Sequence, residues 1–134
     1  MNTMVHVFSG NFANRNDATA YSEEQWSPEP GDDASEDEYA AWEDSNPTWA
    51  MRDDLGLDDL DHDFIETLHA DDDHDVWEYL GGLLRAPDAL KQVRERAGSA
   101  NTLVLIFDQA FDGAAPDLDS TPQLTFCGTW PARL

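Results

Sequence analysis

The chain has 134 residues, 40% of them hydrophobic and with five Trp and six Phe, which is the length and apolar content of one domain with a real core. Seven Lys and Arg face 29 Asp and Glu, a formal net charge of −22, so the surface repels nucleic acid and anionic membranes and attracts basic proteins. A single cysteine, Cys127, excludes an internal disulfide and a cysteine-rich zinc site.

In chain order, the opening MNTMVHVFSGNF lacks the basic and apolar regions of a signal peptide. No apolar run nears the roughly 18 residues of a membrane span, so a soluble, cytoplasmic chain is expected. Within the opening, MVHVFSGNF predicts a core strand, with Val5 and Val7 on one face, His6 and Phe8 on the other, and Gly10-Asn11 at its end. NDATAYSEEQW predicts a short helix capped by Asp17 and stopped by Pro28 and Pro30. An acidic insert at about 28–50 is expected to be mostly irregular. Inside it, Ser35 and Glu38 have the spacing of a capping box, and Tyr39 and Trp42 share a face, which together suit a second short helix over SEDEYAAWED, although the tract's composition suits disorder equally. SNPTWAMRDDLGL reads as irregular, anchored by Trp49, Met51, Leu55 and Leu57.

DFIETLHA predicts a strand flanked by two acidic clusters. Val76, Trp77, Leu80, Leu83 and Leu84 have helical spacing, weakened by Gly81-Gly82 and closed near Pro87. A further helix runs from Pro87 in its first turn to Gly98, with Leu90 and Val93 inward and Arg94 and Arg96 in the last turns. NTLVLIFD is an apolar run suited to a strand buried on both faces, and QLTFCGTW to a final strand. This order predicts a single α+β domain over 1–134, a mainly antiparallel sheet with helices packed on one side.

Residues 53–75 hold eleven carboxylates, three histidines and no Lys or Arg. As an EF-hand loop the tract fails: counted from Asp59, the glycine position is Phe64 and the glutamate position Ala70; counted from Asp71 they are Val76 and Gly82. His62, His69 and His74 have no ligand-pair spacing for zinc, and no metal or cofactor is expected. Cys127 reads as a small buried hydrophobe. There is no phosphate loop and no GxSxG, and a solvated acidic face offers no unequal carboxylate pair, so no enzyme is expected.

Taken together, VHVFSGNF, YSEEQW, RDDLGLDDLDHDFIE, NTLVLIFD and LTFCGTW resemble the bacterial immunity protein 22 family over most of the chain. The central pattern falls on Asp54, Gly56, Leu57, Asp61, Asp63, Phe64 and Glu66, and the closing one on Phe126, Gly128, Thr129 and Trp130. Asp53 stands where that family commonly has a basic residue and Leu60 where it has an aromatic one; the insert is acidic even for the family. The resemblance implies a protein that binds the catalytic domain of a cognate toxin. It transfers no catalytic residues and does not say which toxin. A toxin that acts on nucleic acid has a basic cleft, and an acidic inhibitor gains electrostatic steering toward it. The expected contact residues are Asp58, Asp59, Asp61, Asp63, Asp71, Asp72, Asp73 and Asp75, with Glu36, Asp37 and Glu38 of the insert. Trp42, Trp49 and Trp77 are candidate aromatic anchors among them. The alternative is a salt-adapted or DNA-mimicking acidic interaction protein with no toxin partner, for which the single lysine, Lys91, also speaks.

Overall fold

A computed structural model describes residues 2–73 and 75–133. Four strands form one antiparallel sheet in the order β2-β3-β1-β4: β1 Asn2–Gly10, β2 Ile65–His69, β3 Thr102–Phe107 and β4 Thr125–Arg133. The predicted α+β class and antiparallel sheet are those of the structure. Strand β3 lies between β1 and β2, with Val7 opposite Leu105 and Ile65 opposite Ile106, and every one of its residues is buried.

Its apolar run dictates the layers. On one face Leu103, Leu105 and Phe107 join Val5 and Val7 of β1 against α4 (Val76–Leu83) and α5 (Ala89–Ala97), which contribute Val76, Leu80, Ala89 and Val93. On the other, Val104 and Ile106 join Phe8 and Ile65 against Trp49, Met51, Ala110, Phe111 and Leu124. Helix α3 (Ala50–Leu55) supplies Met51, and α1 (Arg15–Ser22) lies over β2, where Ser22 Oγ is 2.6 Å from Thr67 Oγ1. Helices therefore cover both faces where one was expected. A strand with apolar side chains on both sides needs an apolar cover on each.

Local signals explain the helix ends. Asn14, rather than the predicted Asp17, caps α1 by accepting from Asp17 N–H, and the helix ends at Ser22 because the chain then pairs Gln25 with Thr48. Ser35 caps α2 (Glu36–Ser45) by accepting from Glu38 N–H, as its spacing predicts. The stretch read as irregular contains α3, closed by Gly56 at φ 72°, with Gly56 N–H bonded to Asp53 O and Leu57 N–H to Arg52 O. That is a Schellman ending, and glycine is the residue that accepts its left-handed backbone. Asp75 caps α4, whereas Pro87 lies outside α5, two residues ahead of Ala89 where that helix begins. In β4, Phe8 pairs with Phe126 but Val7 with Gly128, so Cys127 is the extra residue of a bulge. The bulge sends Cys127 into the α4–α5 core while Phe126 packs on Phe8 on the other face.

A candidate docking surface of acidic segments

Helix α1 organises the acidic half of the molecule. At its start Arg15 Nη1 pairs with Asp72 Oδ1 at 2.7 Å and also donates to Thr67 O, tying α1 to the end of β2. Just past its end Glu24 Oε1 lies 3.0 Å from His62 Nδ1, tying it to the 3-10 turn His62–Phe64 that starts β2. The two acidic clusters thus flank β2, an edge strand, at either end. Helix α1, eight residues and about 12 Å long, runs between the two attachments.

Within the first cluster Asp58 and Asp59 are exposed, Asp61 accepts from Asp63 N–H, and its own N–H donates to Ala110 O at 2.8 Å. Among the described residues Asp61, His62 and Asp63 form the one group whose donor atoms come close enough for a cation; all three are exposed, and His62 is engaged with Glu24 and Asp63. His69 is buried at the far end of β2, accepting from Asp71 N–H and facing Phe12 O, so His62 and His69 are not brought together. His74 lies outside the described residues.

In the second cluster the roles divide. Asp71 and Asp73 are exposed. Asp72 has only 8% of its side chain exposed, spent on Arg15 and on the N–H of His69, and Asp75 accepts from Trp77 and Glu78 N–H at the head of α4. Asp72 therefore holds the loop and presents little to a partner, a correction to its expected role as a contact, whereas Asp75 caps α4 and stays exposed. The same holds for Trp49, which is 2% exposed in the core and donates its indole N–H to Ser22 O. A Trp in a segment read from sequence as irregular can be core or surface; packing decides it.

The insert is more ordered than its composition implies. Gln25 and Thr48 exchange backbone hydrogen bonds of 2.7 and 2.9 Å, closing residues 25–48 into a loop on its own stem. Asn46 crosslinks it, accepting from Ser27 N–H and donating to Ser27 Oγ and Trp42 O. Trp42 Nε1 donates to Ser27 O and Tyr39 OH to Pro30 O. Helix α2 has no fully buried residue, and Glu36, Asp37 and Glu38 stand exposed in its first turn, where the helix dipole favours them. Trp42 is half-buried against Trp26, which sequence reasoning passed over and which is 54% exposed.

The cations are segregated from this surface. Arg15 and Arg52 lie among the carboxylates, and each is already paired, with Asp72 and Asp53. The other five, Arg85, Lys91, Arg94, Arg96 and Arg133, belong to β4 or the α4–α5 layer. There Arg94 lies over the half-buried Trp77. Carboxylates also grip phenols: Tyr79 OH donates to Glu66 at 2.6 Å and Tyr21 OH to Asp54 at 2.7 Å. Loss of solvent, and after it the carboxylate beside each, push both phenols up to about 12.

Two features away from the acidic surface complete the inventory. His6 bonds Asp108 Oδ1 at 2.7 Å and Thr129 Oγ1 at 2.8 Å, a hydroxyl–imidazole–carboxylate string that ties β1 to β4 and to the turn after β3. It adjoins an open groove of about 710 Å³ lined by Asp108, Arg85 and Phe111. Cys127 is fully buried, and burial pushes its thiol up, as suits a core residue. No helix of the described chain is long and apolar enough to cross a membrane. No protein-family model, curated protein or solved structure matches the chain.

Proposed function

We propose that this chain is an immunity protein that binds and neutralises a toxin domain with a basic surface, of the kind that acts on nucleic acid. The observation that carries the reading is charge segregation: acidic segments strung along α1 and the β2 edge, with the two arginines among them already paired. A salt-adapted surface distributes carboxylates over every face; a docking surface concentrates them. Concentrated charge steers a basic partner into encounter, with association rates up to about 10⁸ to 10⁹ M⁻¹s⁻¹ at low salt, and suits rapid capture of a lethal enzyme. The resemblance of the motifs to the immunity protein 22 family points the same way.

The test uses carboxylates that are exposed and cap nothing: Asp58, Asp59, Asp71 and Asp73, all changed to Lys. With the toxin domain encoded immediately upstream, wild type is expected to protect cells and to associate at a rate that falls steeply as salt rises. The variant should stay folded, associate slowly at every salt concentration and protect poorly. Equal association rates for the two proteins at low salt remove the acidic surface from the docking site.

A further inference from the structure

Three of the five tryptophans carry an arginine over the ring: Arg52 over Trp49 at 5.9 Å, Arg94 over Trp77 at 5.0 Å and Arg96 over Trp130 at 5.8 Å. Trp26 and Trp42 carry none among the described residues and pack on each other, centroids 5.6 Å apart. Residues 16–51, which include both rings, contain no Lys or Arg. The segments that carry the pair are acidic instead. Glu29 accepts from Tyr39 OH, Tyr39 packs edge-on against Trp42 at 6.3 Å, and α2 contributes Glu36, Asp37, Glu38, Glu43 and Asp44.

The platform is also held in place before any partner arrives. The Gln25–Thr48 stem, the Asn46 crosslinks and the Trp42–Ser27 bond fix the loop, so little ordering is left to occur on binding. Yet Trp26 leaves more than half its surface in water, the most of any large hydrophobic residue described. An indole face beside uncompensated carboxylates attracts a planar, weakly hydrated cation.

We propose that Trp26, backed by Trp42, is the receptor for an arginine side chain of the protein partner, the guanidinium lying on the exposed indole face and the insert's carboxylates balancing its charge. The proposal rests on the reading that the chain binds a basic protein, and it names the group recognised. Guanidinium is favoured over ammonium because it stacks flat and sheds water more readily, whereas carboxylates alone draw both cations alike.

Calorimetry on the full chain at low salt, with an arginine–glycine repeat peptide and its lysine counterpart of equal length, tests it. The arginine peptide should bind more tightly by about two- to fivefold, the worth of a partly exposed cation–π contact. Trp26→Ala should erase that margin and leave lysine-peptide binding unchanged, while Trp26→Tyr restores part of it. Trp26→Gln gives the same readout if the alanine variant unfolds. A margin that is absent in wild type, or that survives loss of the ring, overturns the proposal. The toxin separates this from the broader reading. If toxin binds Trp26→Ala as tightly as wild type, the arginine site falls and the immunity function stands. If the peptide margin depends on Trp26 but the toxin does not bind, the reverse holds.

Discussion

Gly128 illustrates how one residue couples backbone to packing. Its φ of 114° lies where side chains are rarely tolerated, and a Cβ there would stand 2.8 Å from Arg96 Nη1 and 3.0 Å from the Trp130 ring. Arg96 uses that nitrogen to bond Cys127 O at 2.9 Å, so a methyl group strains the bulge and displaces the clasp between α5 and β4 together. Gly128→Ala should cost about 1–3 kcal/mol in denaturant unfolding. Substitution at Gly82, which faces open space at the end of α4, should cost far less. The phenols give a second prediction at this scale. Tyr21 and Tyr79 hold their protons up to about 12 against an ordinary 10.0, so between those values the unfolded chain has lost protons that the folded chain keeps. Their contribution to stability is whole below pH 10 and declines as pH rises through 12. Absorbance titration of the tyrosinates should show late ionisation that Glu66→Gln brings partly back toward 10; ionisation of every tyrosine near 10 would mean the phenol–carboxylate bonds do not form.

At the scale of the element, β3 is the strand on which both cores depend. Ile106 is fully buried in the α1–α3 face and Leu105 in the α4–α5 face, and each pairs with both neighbouring strands. Ile106→Ala should cost about 2–5 kcal/mol, the range for a large-to-small change where the surroundings cannot collapse. A loss below about 1 kcal/mol would be that of an exposed edge strand. The edge strand β2 is guarded differently. It is five residues long, Arg15 occupies the Thr67 carbonyl, and carboxylates stand at both ends, all of which discourage pairing with another chain.

For the whole molecule the dominant quantity is the charge. A net charge of −22, most of it carried by residues 1–75, repels itself in the compact state, and salt at 0.1 M, with a Debye length of about 10 Å, screens all but the nearest of those repulsions. Added sodium chloride should therefore raise Tm from low salt upward, and the Asp58, Asp59, Asp71, Asp73 to Lys variant should show a flatter rise from a higher start. A wild-type Tm indifferent to salt would mean the carboxylates lie too far apart in solution to repel. The same screening that stabilises the fold weakens capture of a basic partner, so stability and association rate should move in opposite directions with ionic strength.

Alternation along MVHVF, the unbroken apolar run of β3, the Ser35 cap and the helical spacing of Val76 to Leu84 were enough to predict the α+β class and most of the elements, because each depends on neighbours a few residues apart. The ending of α3 is also legible in the sequence, since Gly56 after Asp54-Leu55 is a helix stop. The roles of the acidic residues are not. Asp71, Asp72 and Asp73 are one residue type in a row, and only contact with Arg15, distant in sequence, makes the middle one a buried brace and leaves its neighbours at the surface. Trp49 and Trp26 are likewise both aromatics beside acidic stretches. The first sinks into the core because Ser22 accepts its N–H, and the second stays half in water because the loop that carries it closes on its own stem. Composition determined that the chain is acidic. Tertiary contacts decided on which side, since charge is a property of residues, but its segregation depends on which of them the fold brings together.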